Sequence, residues 1–149
     1  MDIAALVISI LALALSAFQF FNESSRQKKE STLDAYDILQ NDVFSKINII
    51  LQNLRANCSN LYDIEYNSEY WQKITTYLAK IERFCVGVNS GVYSLRVLNR
   101  VGGGYFIRVF LELKPIIYRK RQKNVSSGKH YDEFELTVTK LKKMRKIDI

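Results

Sequence analysis

The sequence predicts an all-α protein, an N-terminal transmembrane helix followed by a small cytoplasmic helical bundle, and three observations carry that expectation. Residues 3–21 (IAALVISILALALSAFQFF) pass nineteen positions without a charge, a proline or a glycine. At 1.5 Å rise per residue such a helix covers about 28 Å, close to the ~30 Å of bilayer hydrocarbon. Beyond it, apolar residues recur at spacings of three and four in successive stretches, which is the helical period. The whole chain also holds only one proline and six glycines, a globular composition rather than a disordered one. The organisation that follows is an anchor at 1–21, a polar juxtamembrane linker at 22–30 and a helical domain at 31–149. That domain of 119 residues suffices for one modest core and is too short for two.

Taking the elements in order, Ser9, Ser16 and Gln19 are the only polar side chains of the apolar run. The serines can return their hydroxyls to carbonyls one turn back. The linker, NESSRQKKE, holds no helix breaker, so the span either continues as one rod or hinges at 23–25. Ser31 followed by Asp34 supplies a cap-like start with an acid in the first turn. Leu33, Tyr36, Val43, Ile47, Ile50 and Leu54 then form a stripe, broadened by Phe44, Leu51 and Cys58, on a long amphipathic helix ending near Ala56. Residues 57–67, rich in Asn, Ser and Asp, connect to a second helix opened by Ser68 and Glu69. Its stripe is Trp71, Ile74, Leu78, Ile81, Cys85 and Val88, flanked by Tyr70, Tyr77 and Phe84. Gly87 and Gly91 close it.

Ser94 can cap a short helix over 95–101, which Gly102, Gly103 and Gly104 interrupt. A further helix runs from about Tyr105 to Gln122, with Phe106, Phe110, Leu113 and Ile117 on one row and Ile107 and Leu111 beside it. Pro115 should bend that helix rather than end it. After a loop at 124–129, residues 134–139 read two ways. Phe134, Leu136 and Val138 alternate as in a strand, whereas Tyr131, Phe134, Val138 and Leu141 keep helical spacing. A lone strand would have no partner, so a helix over 131–146 is the expectation.

The net charge of +7 is placed unevenly. Residues 1–113 carry 11 Lys and Arg against 11 Asp and Glu, while residues 114–149 carry 11 against 4. Two basic clusters result, Arg119, Lys120, Arg121 and Lys123, then Lys140, Lys142, Lys143, Arg145 and Lys146. With Arg26, Lys28 and Lys29 after the apolar run, these are the candidates for contact with an anionic partner, above all acidic lipid headgroups, the other reading of the basic end being a solvated helix terminus that suits the C-terminal dipole. Only Asp2 and the α-amino group precede the run, so the positive-inside rule puts the N-terminus outside and the domain in the cytoplasm at the inner membrane. A cleaved signal peptide is the competing reading, but no basic segment precedes the run. Cys58 and Cys85 show no disulfide or CxxC spacing and read as reduced core residues, in keeping with a reducing compartment.

The stretch 81–118, IERFCVGVNSGVYSLRVLNRVGGGYFIRVFLELKPIIY, resembles a group of small bacterial and phage proteins classed as a domain of unknown function. Gly87, Gly91, Tyr93, Gly103, Arg108, Lys114 and Pro115 carry the likeness, which covers about half of the helical domain. It implies an N-terminal membrane anchor and a helical cytoplasmic part, and no chemistry.

No catalytic constellation stands out. Gly102 to Gly104 follow a helix rather than a strand and lack the Lys-Ser/Thr pair of a phosphate loop, so they read as a break or a close helix approach. His130 is the sole histidine, an exposed loop residue, and Asp34, Asp37 and Asp42 follow a solvent-facing pattern, so neither a metal nor another cofactor is expected. Glu82 and Glu112 read as partners for nearby cations, Arg108 and Glu112 lying one turn apart. Tyr118 and Tyr131, beside the first basic cluster, are the aromatic residues that could stack on bases. The functional expectation is therefore a non-enzymatic interaction or regulatory module at the inner membrane face, with a protein partner or a second copy as its ligand. The alternative is a membrane-tethered nucleic-acid binder using the basic C-terminal helices. An enzyme of unrecognised type ranks last.

Overall fold

The computed structural model describes residues 3–56, 61–66, 68–123 and 130–147, so the expected loop at 124–129 and Cys58 lie outside the described residues. The described elements are helical throughout: α1 (Ile3–Leu39), a π-helical turn (Gln40–Phe44), α2 (Ser45–Ala56), α3 (Glu69–Asn89), α4 (Leu95–Val101), α5 (Gly103–Lys123) and α6 (Asp132–Arg145). Residues 134–139 are helix, as the spacing of Tyr131, Phe134, Val138 and Leu141 requires.

The linker resolves as part of one rod. α1 runs 37 residues without a break, because residues 22–30 contain nothing that interrupts the ladder, and Arg26 pairs with Glu30 at 2.9 Å one turn on. Ser31 is therefore not a helix start. It sits inside α1, and the adjacent Thr32 donates its hydroxyl to the Lys28 carbonyl at 2.6 Å. The same Thr32 oxygen accepts the Ser94 N–H at 2.8 Å, which is why a threonine is fully buried where Leu33, expected on the stripe, stays 40% exposed. At Gln40–Phe44 the chain widens into a π turn, closed by the Ser45 N–H on the Gln40 carbonyl. The extra residue turns both Val43 and Phe44 inward, and from there the expected stripe of Ile47, Ile50, Leu51 and Leu54 is buried.

α3 begins as expected, Ser68 accepting the Trp71 N–H at 3.3 Å, and all six stripe residues from Trp71 to Val88 are buried. Its end differs from expectation. Gly87 lies within α3, and a methyl group there would stand 2.5 Å from the Tyr93 ring. Gly91, at φ +85°, alone makes the turn. Ser94 caps α4, and Leu98 is its inward residue. In α5 the row Phe106, Phe110, Leu113 and Ile117 is buried as expected, joined by Val109 and Ile116, whereas Leu111 is 49% exposed because it falls on the outer side of that row. Pro115 is accommodated inside α5.

Core packing is organised around Phe106, whose ring meets Phe44 and Phe134 edge-on at 5.5 Å each and Phe84 at 5.9 Å. One residue thereby joins the π turn, α3, α5 and α6. The glycine run serves the close approach inferred for it. A methyl group at Gly102 would stand 2.0 Å from the Tyr36 hydroxyl, and one at Gly103 would meet Asn99 and Arg145 at 2.8 and 3.0 Å. Gly102→Ala is expected to cost about 1–3 kcal/mol of stability by overpacking. The denaturation midpoint reads this, and the cost should shrink in a chain that also carries Tyr36→Leu, because the two residues share one space.

Candidate functional site

Contacts that fix the direction of each helix also sort the cations into two groups. The Ser94 N–H on Thr32 ties the start of α4 to α1 just beyond Lys28, and Gly91 lies close to the Lys28 amine. The α3–α4 turn is therefore at the end of the bundle nearest the apolar part of α1, called here the near end. α3 and α6 run in the same direction: Glu82 meets the N–H groups of Glu133 and Phe134, while seven residues on Asn89 meets Thr137 at 2.9 Å and Lys140 at 2.8 Å. Both helices thus deliver their C-termini to the near end. α5 runs the opposite way, from Gly103 beside Arg145 to Arg121 beside Asp132.

The first basic cluster consequently sits at the far end, and most of it is engaged within the fold. Arg119 lies over the Trp71 ring at 5.1 Å and donates to the carbonyls of Tyr62 and Ile64 at 3.2 and 2.7 Å. Arg121 pairs with Glu135 at 2.7 Å and Asp132 at 3.0 Å and donates to the His130 carbonyl at 2.8 Å. Lys123 stands over the Tyr66 ring at 4.0 Å. Lys120 lines a shallow cleft with Glu82, His130 and Tyr131.

At the near end, Arg145 donates to Asn99 and Lys140 to Asn89, while Arg26 is paired with Glu30 on the rod. Lys28 is half-buried, and Lys29, Lys143 and Lys146 are exposed, with Lys142 half-buried beside them. None of these five side chains is hydrogen-bonded or ion-paired to another described residue. Two further near-end cations, Arg96 and Arg100, stand on the face of α4 opposite the buried Leu98 and are exposed. Sequence arithmetic missed them because the charges of residues 1–113 cancel in total. The local signal was present: residues 83–111 and 136–147 contain no Asp or Glu.

The carboxylates do other work than expected. Among the described residues Glu82 pairs with no cation. It accepts the N–H groups of Glu133 and Phe134 at 3.0 and 2.8 Å, so it caps α6, whose own N-cap residue, Tyr131, is left-handed at φ 64° and offers no side-chain cap. Burial raises the Glu82 carboxyl above its ordinary value, the two N–H groups pull it back, and repulsion from Glu133 and Asp132 adds to the rise. Glu112 pairs with Arg55 at 3.4 Å rather than with Arg108, which lies over the Tyr105 ring at 4.8 Å. His130 is half-buried rather than exposed. Cys85 is buried and free, and burial pushes its thiol up.

Tyr131, expected beside the basic cluster as a stacking surface, is 8% exposed, its hydroxyl held up to about 12 by burial and by Glu82. Tyr118 is exposed, but its ring is flanked by Lys114 at 5.4 Å and Arg121 at 5.9 Å. Among the described residues no group of three or more His, Cys, Asp and Glu could hold a metal. Beside the π turn, Tyr36, Gln40, Asn48 and Tyr105 line a cleft of about 430 Å³ into which no charged group reaches.

A family model described as a domain of unknown function (DUF4760) matches residues 6–141. The chain belongs to the DUF4760 family. The DUF4760 match begins within the apolar half of α1 and ends at Leu141, a buried residue of α6. It therefore takes in the long N-terminal helix and the bundle together, well beyond the half-domain likeness carried by Gly87 to Pro115. No curated protein and no solved structure matches the chain.

Proposed function

We propose that this DUF4760 protein is a single-pass membrane protein, N-terminus outside, whose helical domain is a non-enzymatic interaction or regulatory module held at the inner membrane face. One observation carries the reading. Eleven large apolar side chains between Ile3 and Phe21 are all exposed, from 50% at Val7 to 78% at Ile3. No part of the bundle covers them, although the same helix buries Thr32, Tyr36 and Leu39 further on. Such a surface in water is far larger than the apolar patches soluble proteins tolerate. In lipid, eleven such residues favour insertion by roughly 3–7 kcal/mol on the translocon scale. The window of highest mean hydropathy, 1.7, is wholly unburied. The cations at 26–29, beside the C-terminal end of the run, support this orientation.

The nucleic-acid alternative has no comparable support, since one of its two stacking residues is buried and Arg119 and Arg121 are spent inside the fold.

The full chain is expected to stay with membranes through alkaline extraction, and its C-terminal end to become accessible to protease only once the inner membrane is opened. Leu11→Arg with Leu13→Arg costs about 2.5–3.5 kcal/mol per residue at mid-span and should release the chain. A wild-type chain soluble without detergent, or a C-terminus labelled from outside intact cells, overturns the reading.

A further inference from the structure

We propose that the near end of the bundle is a contact surface for anionic lipid: Arg96, Arg100, Lys142, Lys143 and Lys146, with Lys29 on the rod, meet the phosphates of acidic headgroups. The cations of α5 do not take part. This rests on the membrane reading above and adds which surface faces the bilayer and what it selects.

Three observations converge on it. The rod is continuous from Ile3 to Leu39, so the bundle's height above the bilayer is set by helix rise and not by a flexible linker. From Phe21 to Lys28 the rise is about 10 Å, and to Thr32 about 16 Å. The headgroup layer is about 5–8 Å deep, and a charge acts across a further ~8 Å before salt at physiological ionic strength screens it. Contacts with Lys28 and Thr32 put the α3–α4 turn at that height, and the parallel run of α3 and α6 brings the basic last turn of α6 to the same end. The bundle also hangs on one side of α1, since Asp34 and Asp37 face solvent on the other. A tilt of about 20°, ordinary for a single span, toward the bundle lowers α4 and α6 onto the headgroups.

Second, the charge is selective. The near-end cations named above have no acidic partner among the described residues, whereas Arg121 at the far end is bound by two carboxylates. Third, the outward face of α4 presents Arg96 and Arg100 one turn apart while Leu98 turns inward, so the element closing this end of the bundle shows guanidinium groups outward. Arginine forks suit phosphate oxygens.

The test uses the full chain in nanodiscs of phosphatidylcholine alone and of phosphatidylcholine mixed with phosphatidylglycerol. A fluorophore is placed on Val92→Cys, in the exposed α3–α4 turn, with Cys58→Ser, and its quenching by headgroup spin-labelled lipid is followed. Quenching should rise sharply with the anionic lipid and fall with added salt. Each cation near the surface strengthens the contact about fivefold, so Lys142→Gln with Lys143→Gln should weaken it about 25-fold. Lys120→Gln with Lys123→Gln, at the far end, should leave it unchanged. Quenching that ignores the anionic lipid in a chain that does enter the discs overturns this inference alone. A chain that never enters them overturns the membrane reading as well. Equal loss from the far-end pair, or displacement of the probe from anionic discs by duplex DNA, also overturns the inference.

Discussion

Phe106→Ala is expected to lower the stability of the helical domain by about 3–5 kcal/mol, among the largest effects of any single truncation in the fold. Phe106 is fully buried, and three rings from three other elements close on it, Phe44 from the π turn, Phe84 from α3 and Phe134 from α6. Removing it forfeits the transfer energy of the ring and leaves a cavity that no single neighbour can fill without breaking its other ring contacts. Domains of this size carry about 5–15 kcal/mol in total, so the loss is a large share. Denaturant unfolding in detergent, followed by the fluorescence of the buried Trp71, measures it. Leu111→Ala, on the same helix but 49% exposed, is the comparison and should change the midpoint little. Equal shifts from the two would show that α5 does not pack on the face described.

Glu82→Ala is the second large effect, about 2–4 kcal/mol, because two N–H groups at the start of α6 lose a charged acceptor. Such donors have no intrahelical partner, and Tyr131 in its left-handed conformation supplies none. Loss of the cap should free the first turn of α6, so hydrogen exchange at Glu133 and Phe134 should accelerate more than elsewhere. Glu82→Gln keeps an acceptor oxygen and should cost about half as much.

The pH dependence has an unusual sign. Burial raises this carboxyl in the folded state, so the fold binds its proton more tightly than the unfolded chain does. The group's contribution therefore grows as pH falls through the raised folded value toward the ordinary carboxylate value, and is lost as pH rises back through it. The stability difference between wild type and Glu82→Gln should increase on acidification from neutral pH. A difference that stays flat or shrinks would show that the two N–H groups outweigh desolvation.

Much of the fold was legible in the residue order. The apolar run at 3–21, the stripe from Trp71 to Val88, the Ser68 and Ser94 caps and the row from Phe106 to Ile117 all express a period of 3.6, which a helix must show if one face is to be buried. The family match over residues 6–141 agrees with the classification as a domain of unknown function reached from Gly87 to Pro115. What the residue order leaves undetermined is of one kind. Ser31 looked like a cap because Ser and an acid three residues later satisfy a local pattern, yet nothing between 22 and 30 ends the helix that already passes through.

The basic clusters show the limit most clearly. Arg119, Lys120, Arg121 and Lys123 look like the second cluster in composition, and only helix direction separates them, with Arg121 bound by Asp132 and Glu135 at the end away from the apolar run. Arg96 and Arg100 drew no notice in a charge count that balanced, yet they share an end with Lys142 and Lys143.

By itself the sequence determined that this chain is helical, that one helix is long and apolar enough to cross a membrane, and which faces of the others are buried. These are properties of neighbours three and four residues apart. Tertiary structure alone decided that Glu82 caps a residue fifty-one positions away, that Tyr131 is inside, and which cations lack a partner among the described residues at which end. The physical reason is that a hydrogen bond or ion pair between distant segments depends on how helices are directed and docked, and imposes no period on the residues that make it.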